Sequence, residues 1–395
     1  MNFFNTNDLR PGLIFSEPVY TEGTNILVPS HFPLRQKDID LLVSWGIDVV
    51  KTEGNIIEEV VESRQNEVNL SPKDDDLSSK KDVYKFLISD VEQNSGPYRD
   101  YKSLIEKING VFVGFKAGGD VEIRTIDNIA VLLLQHLRDN PDSFIDFILG
   151  GEVSGSELAK SSVNTAILSA LTAFELKLPN HKIHNIVSGA LLHDIGMLRL
   201  SKGITEKKGS LSEAELEQIK SHPLHSSRIV QKELFGSQEV NLIALHHHER
   251  WDGRGYPDKL LGPAIDIGAR IVSVADAFEA MVSKKPYRPS MGGYQAVKNL
   301  LADNARRFDP AVIMAFTKIM GIYPIGSIVR LNDKSVARVT KVHSSAPMRP
   351  VIQILIDNKG KNIASDKTQP IDLLADKKLF IKQAMEPAEL KKLYG

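Results

Sequence analysis

The 395-residue chain contains no cysteine, which excludes disulfides, thiolate–zinc sites and thiol nucleophiles together. Any metal must be held by imidazole and carboxylate, the ligand mix suited to iron, manganese or zinc. A charge excess is missing too. Its 49 basic and 50 acidic side chains leave a net charge of −1, which argues against broad electrostatic binding to nucleic acid or anionic membrane but not against a local basic pocket. Long apolar runs are absent: the best, IAVLLLQHL at Ile129–Leu137, is too short to span a bilayer. The opening MNFFNTNDLRPG has no basic region followed by an apolar core, so no signal peptide is expected. No internal repeat or low-complexity tract is present. The expectation is a cytoplasmic protein with neither a membrane nor a DNA or RNA polymer as partner.

The length exceeds what one core usually supports, so two or three domains are expected. Residues 1–62 read as a small mixed α/β module. GLIFSEPVY and NILVPS are strands around the turn TEGTN, RQKDIDLLVSW has apolar residues at helical spacing (Ile39, Leu42, Trp45), and IDVVKTE returns as a strand. Residues 63–82 are polar with almost nothing to bury, a linker. Residues 83–150 have a helical pattern broken at NSGP and FKAGGD. The largest unit, 151–319, shows no convincing strand. Val163, Ile167, Leu171 and Phe174 mark one helix face, and Ser212 with Glu215 forms a capping box. From 320 to 395 the period shortens: GSIVRL, SVARVTKV and VIQILID read as strands of a small β module, followed by a C-terminal helix.

Eight of the chain's eleven histidines lie between His181 and His248. His193-Asp194 follows the apolar GALL, where a carboxylate is costly unless paired, hydrogen-bonded or bound to metal. His222-Pro223 closes the next helix. His247 and His248 end VNLIAL, and neighbours on a helix point about a hundred degrees apart, so two can grip different sides of one pocket. Asp276 interrupts the apolar GARIVSVADAFEAM. Taken singly, each has an ordinary explanation: a core hydrogen bond, a solvated helix end, a capped carboxylate. Together they need four separate excuses, whereas one polynuclear metal site built from bundle helices accounts for all.

The motifs HDIGM, SHPLHSS, HHHERWDGRGYP and VADAFEAMVSKKPYRP, in this order and separation, resemble the HD-GYP family of the HD phosphohydrolase superfamily, over about Glu157 to Phe316. LRPGLIFSEPVY and YPIGSIVRL resemble modules attached to that domain. The resemblance implies a multidomain protein with an all-α HD-type helical bundle at its centre, flanked by the small α/β and β modules. It also implies two or three divalent ions, iron or manganese, that activate water and clamp a phosphodiester, and hydrolysis of cyclic di-GMP to pGpG or GMP. Mapped onto matching positions, the ligands are His193, Asp194, His222, His247, His248 and Asp276, with Asp194 bridging two ions and Glu157 an additional ligand; His193 and Asp194 carry the catalytic role. Gly255 and Tyr256 shape a loop at the substrate, and Lys285 and Arg288 hold phosphate oxygens. His246 falls outside the motif and reads as a spacer. A homodimer or a signalling protein partner fits the family's setting in bacterial second-messenger signalling.

Four positions depart from the family pattern. Ser161 in KSSVNTAIL stands where a histidine supplies a ligand, and Met197 ends HDIGM where a lysine contacts substrate phosphate. Ser226 replaces a frequent glycine, and Glu279 a common aspartate. Cyclic di-GMP hydrolysis is the leading expectation. A domain that binds the dinucleotide or a protein partner without turnover is the alternative, and a hydrolase for another nucleotide the third.

Overall fold

The fold was established from a computed structural model, which describes residues 2–17, 19–20, 26–28, 34, 36, 39, 42, 49–59, 96–119, 121–139, 141–150, 156–205, 207, 209–283, 291–303, 306–363, 369–385, 389 and 393. It divides into two compact units, residues 1–83 with 394–395 and residues 84–393. The expected linker at 63–82 lies outside the described residues.

In the first unit, strands β1 (Asn2–Asn5), β5 (Val49–Thr52), β3 (Val19–Tyr20) and β4 (Ile26–Val28) form one antiparallel sheet in that order, and β2 (Leu13–Phe15) pairs with β6 (Ile56–Glu59). Phe15, Val19, Leu27, Leu34, Ile39, Leu42 and Val50 make its core. Of the expected helix RQKDIDLLVSW, Gln36, Ile39 and Leu42 are helical, and the remainder, Trp45 included, is outside the described residues.

Among its described residues the second unit is helical to Met320. Helices α1 (Gly96–Lys116), α2 (Ile123–Asp139) and α3 (Pro141–Gly150) lead into α4 (Glu157–Glu175), α5 (Asn180–Leu192), a short 3₁₀ turn (Ile195–Arg199), α6 (Lys202–Thr205), α7 (Glu213–Lys220), α8 (His222–Lys232) and α9 (Gln238–His246). After a long loop come α10 (Ile267–Val282), α11 (Gly293–Ala302) and α12 (Pro310–Met320). Fourteen of the nineteen residues of α4 are buried, so it is covered on all sides: α1, α5, α10 and α12 pack around it. The chain starts its helices with oxygen-bearing caps. Ser156, Ser237, Asp266 and Asp309 accept from backbone N–H groups of α4, α9, α10 and α12, and Ser212 with Glu215 makes the expected capping box on α7.

One packing detail sets up the site. A Cβ on Gly189 of α5 would lie 2.7 Å from the Ile243 side chain, and one on Gly268 of α10 would lie 2.6 Å from it. Glycine on both sides of Ile243 lets α9 sink between α5 and α10, which brings the ends of α5 and α9 together.

The C-terminal part is a five-stranded antiparallel sheet in the order β10 (Ile371–Asp372), β9 (Val351–Ile356), β8 (Val336–Lys341), β7 (Ile328–Leu331), β11 (Ile381–Ala384). The edge strands β10 and β11 are too short to announce themselves by periodicity. Of the expected C-terminal helix, Glu389 and Leu393 are helical and the rest is outside the described residues.

Candidate metal centre

His193 follows the last residue of α5 with its ring fully buried. Its Nδ1 lies 2.7 Å from Ala190 O. A carbonyl only accepts, so the proton is on Nδ1 and Nε2 is left for the pocket. The same device recurs twice: His222 Nδ1 donates to Ile219 O at 2.7 Å, and His247 Nδ1 donates to Ala244 O at 3.0 Å. Three imidazoles thus arrive with tautomer and orientation set by their own backbone, the arrangement that presents Nε2 to a cation. His222 opens α8 rather than merely closing the preceding helix, because α7 stops at Lys220 and the chain turns through Ser221.

The free nitrogens converge on Asp194. One carboxylate oxygen lies 3.0 Å from His222 Nε2 and 3.8 Å from His247 Nε2, and the other lies 3.5 Å from His193 Nε2. Asp276, on α10, reaches 3.6 Å from His193 Nε2. His248 stands edge-on to His222, with ring centroids 4.9 Å apart, and next to His247. Two ligand-type groups therefore lie close enough to share an ion, each with its atoms within 4.8 Å of one another: His222, His247 and His248, and His193, Asp194 and His247.

Two features test whether a cation fits. His193 Nε2 is buried with no hydrogen-bond partner, a costly state for a polar atom. His222 Nε2 and His247 Nε2 face each other at 3.2 Å. With both Nδ1 atoms protonated, two lone pairs would oppose one another unless a proton or a metal ion sat near them. The residues present fit divalent ions.

The electrostatics agree. Burial opposes a charge on His193, but the Asp194 and Asp276 carboxylates outweigh it and raise its pKa to about 9. His222 is raised the same way, burial being overcome by Asp194. His247 and His248 go down: burial and neighbouring imidazoles hold His247 well below the usual range and His248 at about 3. Burial would raise the Asp194 and Asp276 carboxyls, yet the surrounding imidazolium groups hold both below normal. The pocket carries two carboxylates among four imidazoles, of which His247 and His248 resist protonation, a cation-seeking set.

The loop after α9 forms one wall. The Tyr256 ring lies against His248 with centroids 4.9 Å apart. A Cβ on Gly255 would stand 2.3 Å from Arg250 N, so only glycine lets the chain double back here. Glu249, 2% exposed, accepts from Asp258 N at 2.6 Å and Leu260 N at 3.1 Å. His246 is no spacer: it is buried, and its Nε2 lies 2.9 Å from Asp258 Oδ2. His246 and Glu249 therefore anchor the loop that carries Gly255 and Tyr256.

The remaining sequence-derived candidates fare differently. Glu157 is exposed in the first turn of α4 and belongs to neither ligand-type group. Ser161 donates to Glu279 Oε2 at 2.7 Å. Ser226 accepts from Gly196 N at 2.9 Å, tying α8 to the turn after His193-Asp194. Met197 sits half-buried in that turn. Lys285 and Arg288 lie outside the described residues. One residue that sequence reasoning missed is Arg307, whose charge acts on both His248 and Tyr256. It lies some fifty positions from that motif, and no local pattern marks it.

A helical bundle that ends one buried helix in His-Asp and gathers further histidines around that aspartate is an HD-type domain. Residues 152–312 match the HD domain family, and residues 328–393 match the KOW domain associated with HD domains. Cyclic di-GMP phosphodiesterase PdeB of Borreliella burgdorferi is 33% identical over 247 residues, covering 62% of this chain and 65% of that protein. Cyclic di-GMP phosphodiesterase PA4108 of Pseudomonas aeruginosa is 30% identical over 236 residues, 60% and 56% of the two chains. 3'3'-cGAMP-specific phosphodiesterase 1 of Vibrio cholerae is 45% identical over 101 residues, 26% and 23%. The chain therefore spans 65% and 56% of the lengths of the first two. It belongs to the HD-GYP family. No helix among the described residues is long and apolar enough to cross a membrane.

Proposed function

We propose that the chain is a metal-dependent phosphodiesterase that hydrolyses cyclic di-GMP to pGpG or GMP at a dinuclear centre. The observation that carries this reading is the shared orientation of three imidazoles, each with Nδ1 spent on its own backbone and Nε2 turned toward Asp194. His193, Asp194, His222, His247, His248 and Asp276 would hold the ions, Asp194 standing between the two ligand-type groups. Two divalent ions, iron or manganese, supply Lewis acidity toward a phosphodiester and lower the pKa of water.

The chain's own residues do the rest. The carbonyls of Ala190, Ile219 and Ala244 hold the imidazole protons on Nδ1, so no ring need rotate. The Tyr256 ring lies against His248 on one side of the pocket. Lys285 and Arg288 of the KPYR segment would offset charge on the phosphate oxygens. Names of relatives support the substrate class: two act on cyclic di-GMP and one on 3'3'-cGAMP.

The test is direct. Protein reconstituted with iron or with manganese should contain two ions per chain by elemental analysis and should hydrolyse cyclic di-GMP; no turnover with any divalent metal sinks the reading. Competition between cyclic di-GMP and 3'3'-cGAMP decides the nucleotide.

A second reading, binding without turnover, is favoured by Met197 and by the Ser161 hydroxyl being engaged with Glu279. Dinucleotide binding without hydrolysis supports it. The double change Ser161→His with Met197→Lys should then restore activity.

A further inference from the structure

Arg307 sits where the chain returns to the metal pocket. Backbone bonds run from Trp251 N to Arg307 O at 3.0 Å and from Asp252 N to Arg306 O at 2.9 Å, fastening this segment alongside the loop that carries Tyr256. The segment is locked from behind as well. Phe308 is buried, Asp309 caps α12, and Asp309 also pairs with Arg270 at 2.7 Å, whose guanidinium lies 5.6 Å from the Trp251 ring centroid.

The side chain of Arg307 is half-buried, with its guanidinium carbon 5.0 Å from the Phe308 ring centroid. Three nearby guanidinium groups are committed: Arg250 to Asp252 at 2.7 Å, Arg270 to Asp309, and Arg306 to Asp303 at 3.2 Å. Arg307 forms no ion pair among the described residues. Its positive charge is felt at both His248 and Tyr256, whose tilted rings lie 4.9 Å apart. A planar guanidinium held against an aromatic ring and left without a carboxylate is ready for bidentate bonding to an anion.

We propose that Arg307 is a substrate-binding residue that contacts a phosphate oxygen of the cyclic dinucleotide beside Tyr256, supplying positive charge that Met197 does not. The proposal rests on the phosphodiesterase reading of the site. Arg307 is not itself a metal ligand, so its removal should leave the ions in place.

The experiment uses the full chain loaded with manganese and compares the parent with Arg307→Gln and Arg307→Lys. Elemental analysis, calorimetric affinity for cyclic di-GMP and for inorganic phosphate, and KM against kcat are measured. Arg307→Gln should keep two ions per chain, weaken both ligands by roughly tenfold or more and raise KM in proportion, as expected for loss of a charged hydrogen bond. Arg307→Lys should recover part of the affinity. Unchanged affinity and KM in Arg307→Gln overturn the proposal. So does loss of metal or of helical circular dichroism in both variants, which would make Arg307 a structural residue. Should the parent bind metal but leave cyclic di-GMP intact, the enzymatic reading fails by itself. Phosphate affinity then judges Arg307 alone: a tenfold difference upholds an anion-binding role, and equal affinity ends it.

Discussion

The Ser161 hydroxyl donates to Glu279 Oε2 at 2.7 Å across the interface of α4 and α10, so two of the positions at which this chain departs from the family pattern touch one another. Asn164 donates to the other carboxylate oxygen at 3.3 Å, the Ser283 hydroxyl donates to that oxygen too, and Tyr101 of α1 donates to Asn164 Oδ1 at 2.6 Å. The longer glutamate fills the reach that a shorter serine leaves open. Ser161 is therefore engaged in a buried network.

Ser161→Ala should lower stability by about 2 kcal/mol in urea unfolding, the usual value of a hydrogen bond to a charged group. Metal content should stay at the parent value. A variant that loses an ion would show Ser161 to be a ligand after all.

The metal-free protein should be most stable near pH 6.5. His193 is held at about 9, above its unfolded value near 6.5. Its contribution is complete below pH 6.5 and is lost as pH rises through 9, with His222 acting in the same direction. His248 is held at about 3. The unfolded chain takes up a proton that the folded chain refuses, so this contribution is complete above 6.5 and is lost as pH falls toward 3. His247 and the depressed carboxylates of Asp194 and Asp276 steepen the acid limb. Thermal melts in chelator across pH 4–10 should trace a dome. His193→Asn should flatten its alkaline side and His248→Gln its acid side. A flat profile would refute these assignments.

Glu249 offers a test of the loop. Its carboxylate accepts two backbone N–H groups from the far side of the turn, at Asp258 and Leu260. Glu249→Gln puts an amide N–H against one of them, costing about 1–3 kcal/mol and loosening Tyr256 from His248. Removing the His246 anchor by His246→Ala should act in the same sense. Both variants should retain two ions and raise KM for cyclic di-GMP several-fold. Loss of metal with unchanged KM in the remaining loaded fraction would mean that the loop supports the ligands rather than the substrate.

Much of this was legible in the sequence because the motifs are local. His193-Asp194, His222 and His247-His248 each sit at a helix boundary, where the chain both exposes polar atoms and marks the break in apolar spacing. The capping box at Ser212 could be read for the same reason. Features that depend on distant partners were not legible. Nothing local ties Ser161 to Glu279, 118 residues on, or Arg307 to the Tyr256 loop. His246 looked like a spacer because its partner Asp258 lies beyond a doubled-back loop that periodicity does not describe. The family motif marks the position of Glu157 but not its surroundings, and Glu157 stands exposed in the first turn of its helix.

Asp194→Asn separates the electrostatic role of the carboxylate from its shape. Asparagine keeps the size of the side chain but removes the charge that draws His193 and His222 upward. In the metal-free variant His193 should titrate well below the parent value of about 9, since burial then acts against its cation with Asp276 and the Ala190 carbonyl to offset it. Proton-detected NMR of the imidazole signals measures this without reference to turnover. The same variant should bind at most one ion per chain and lose hydrolysis by more than about a hundredfold, because preorganised charge at the reacting centre is worth that much or more. If His193 titrates as in the parent, Asp194 is not the charge that governs the cluster. If two ions remain bound with parental activity, Asp194 does not join the two ligand-type groups, and its bridging role fails.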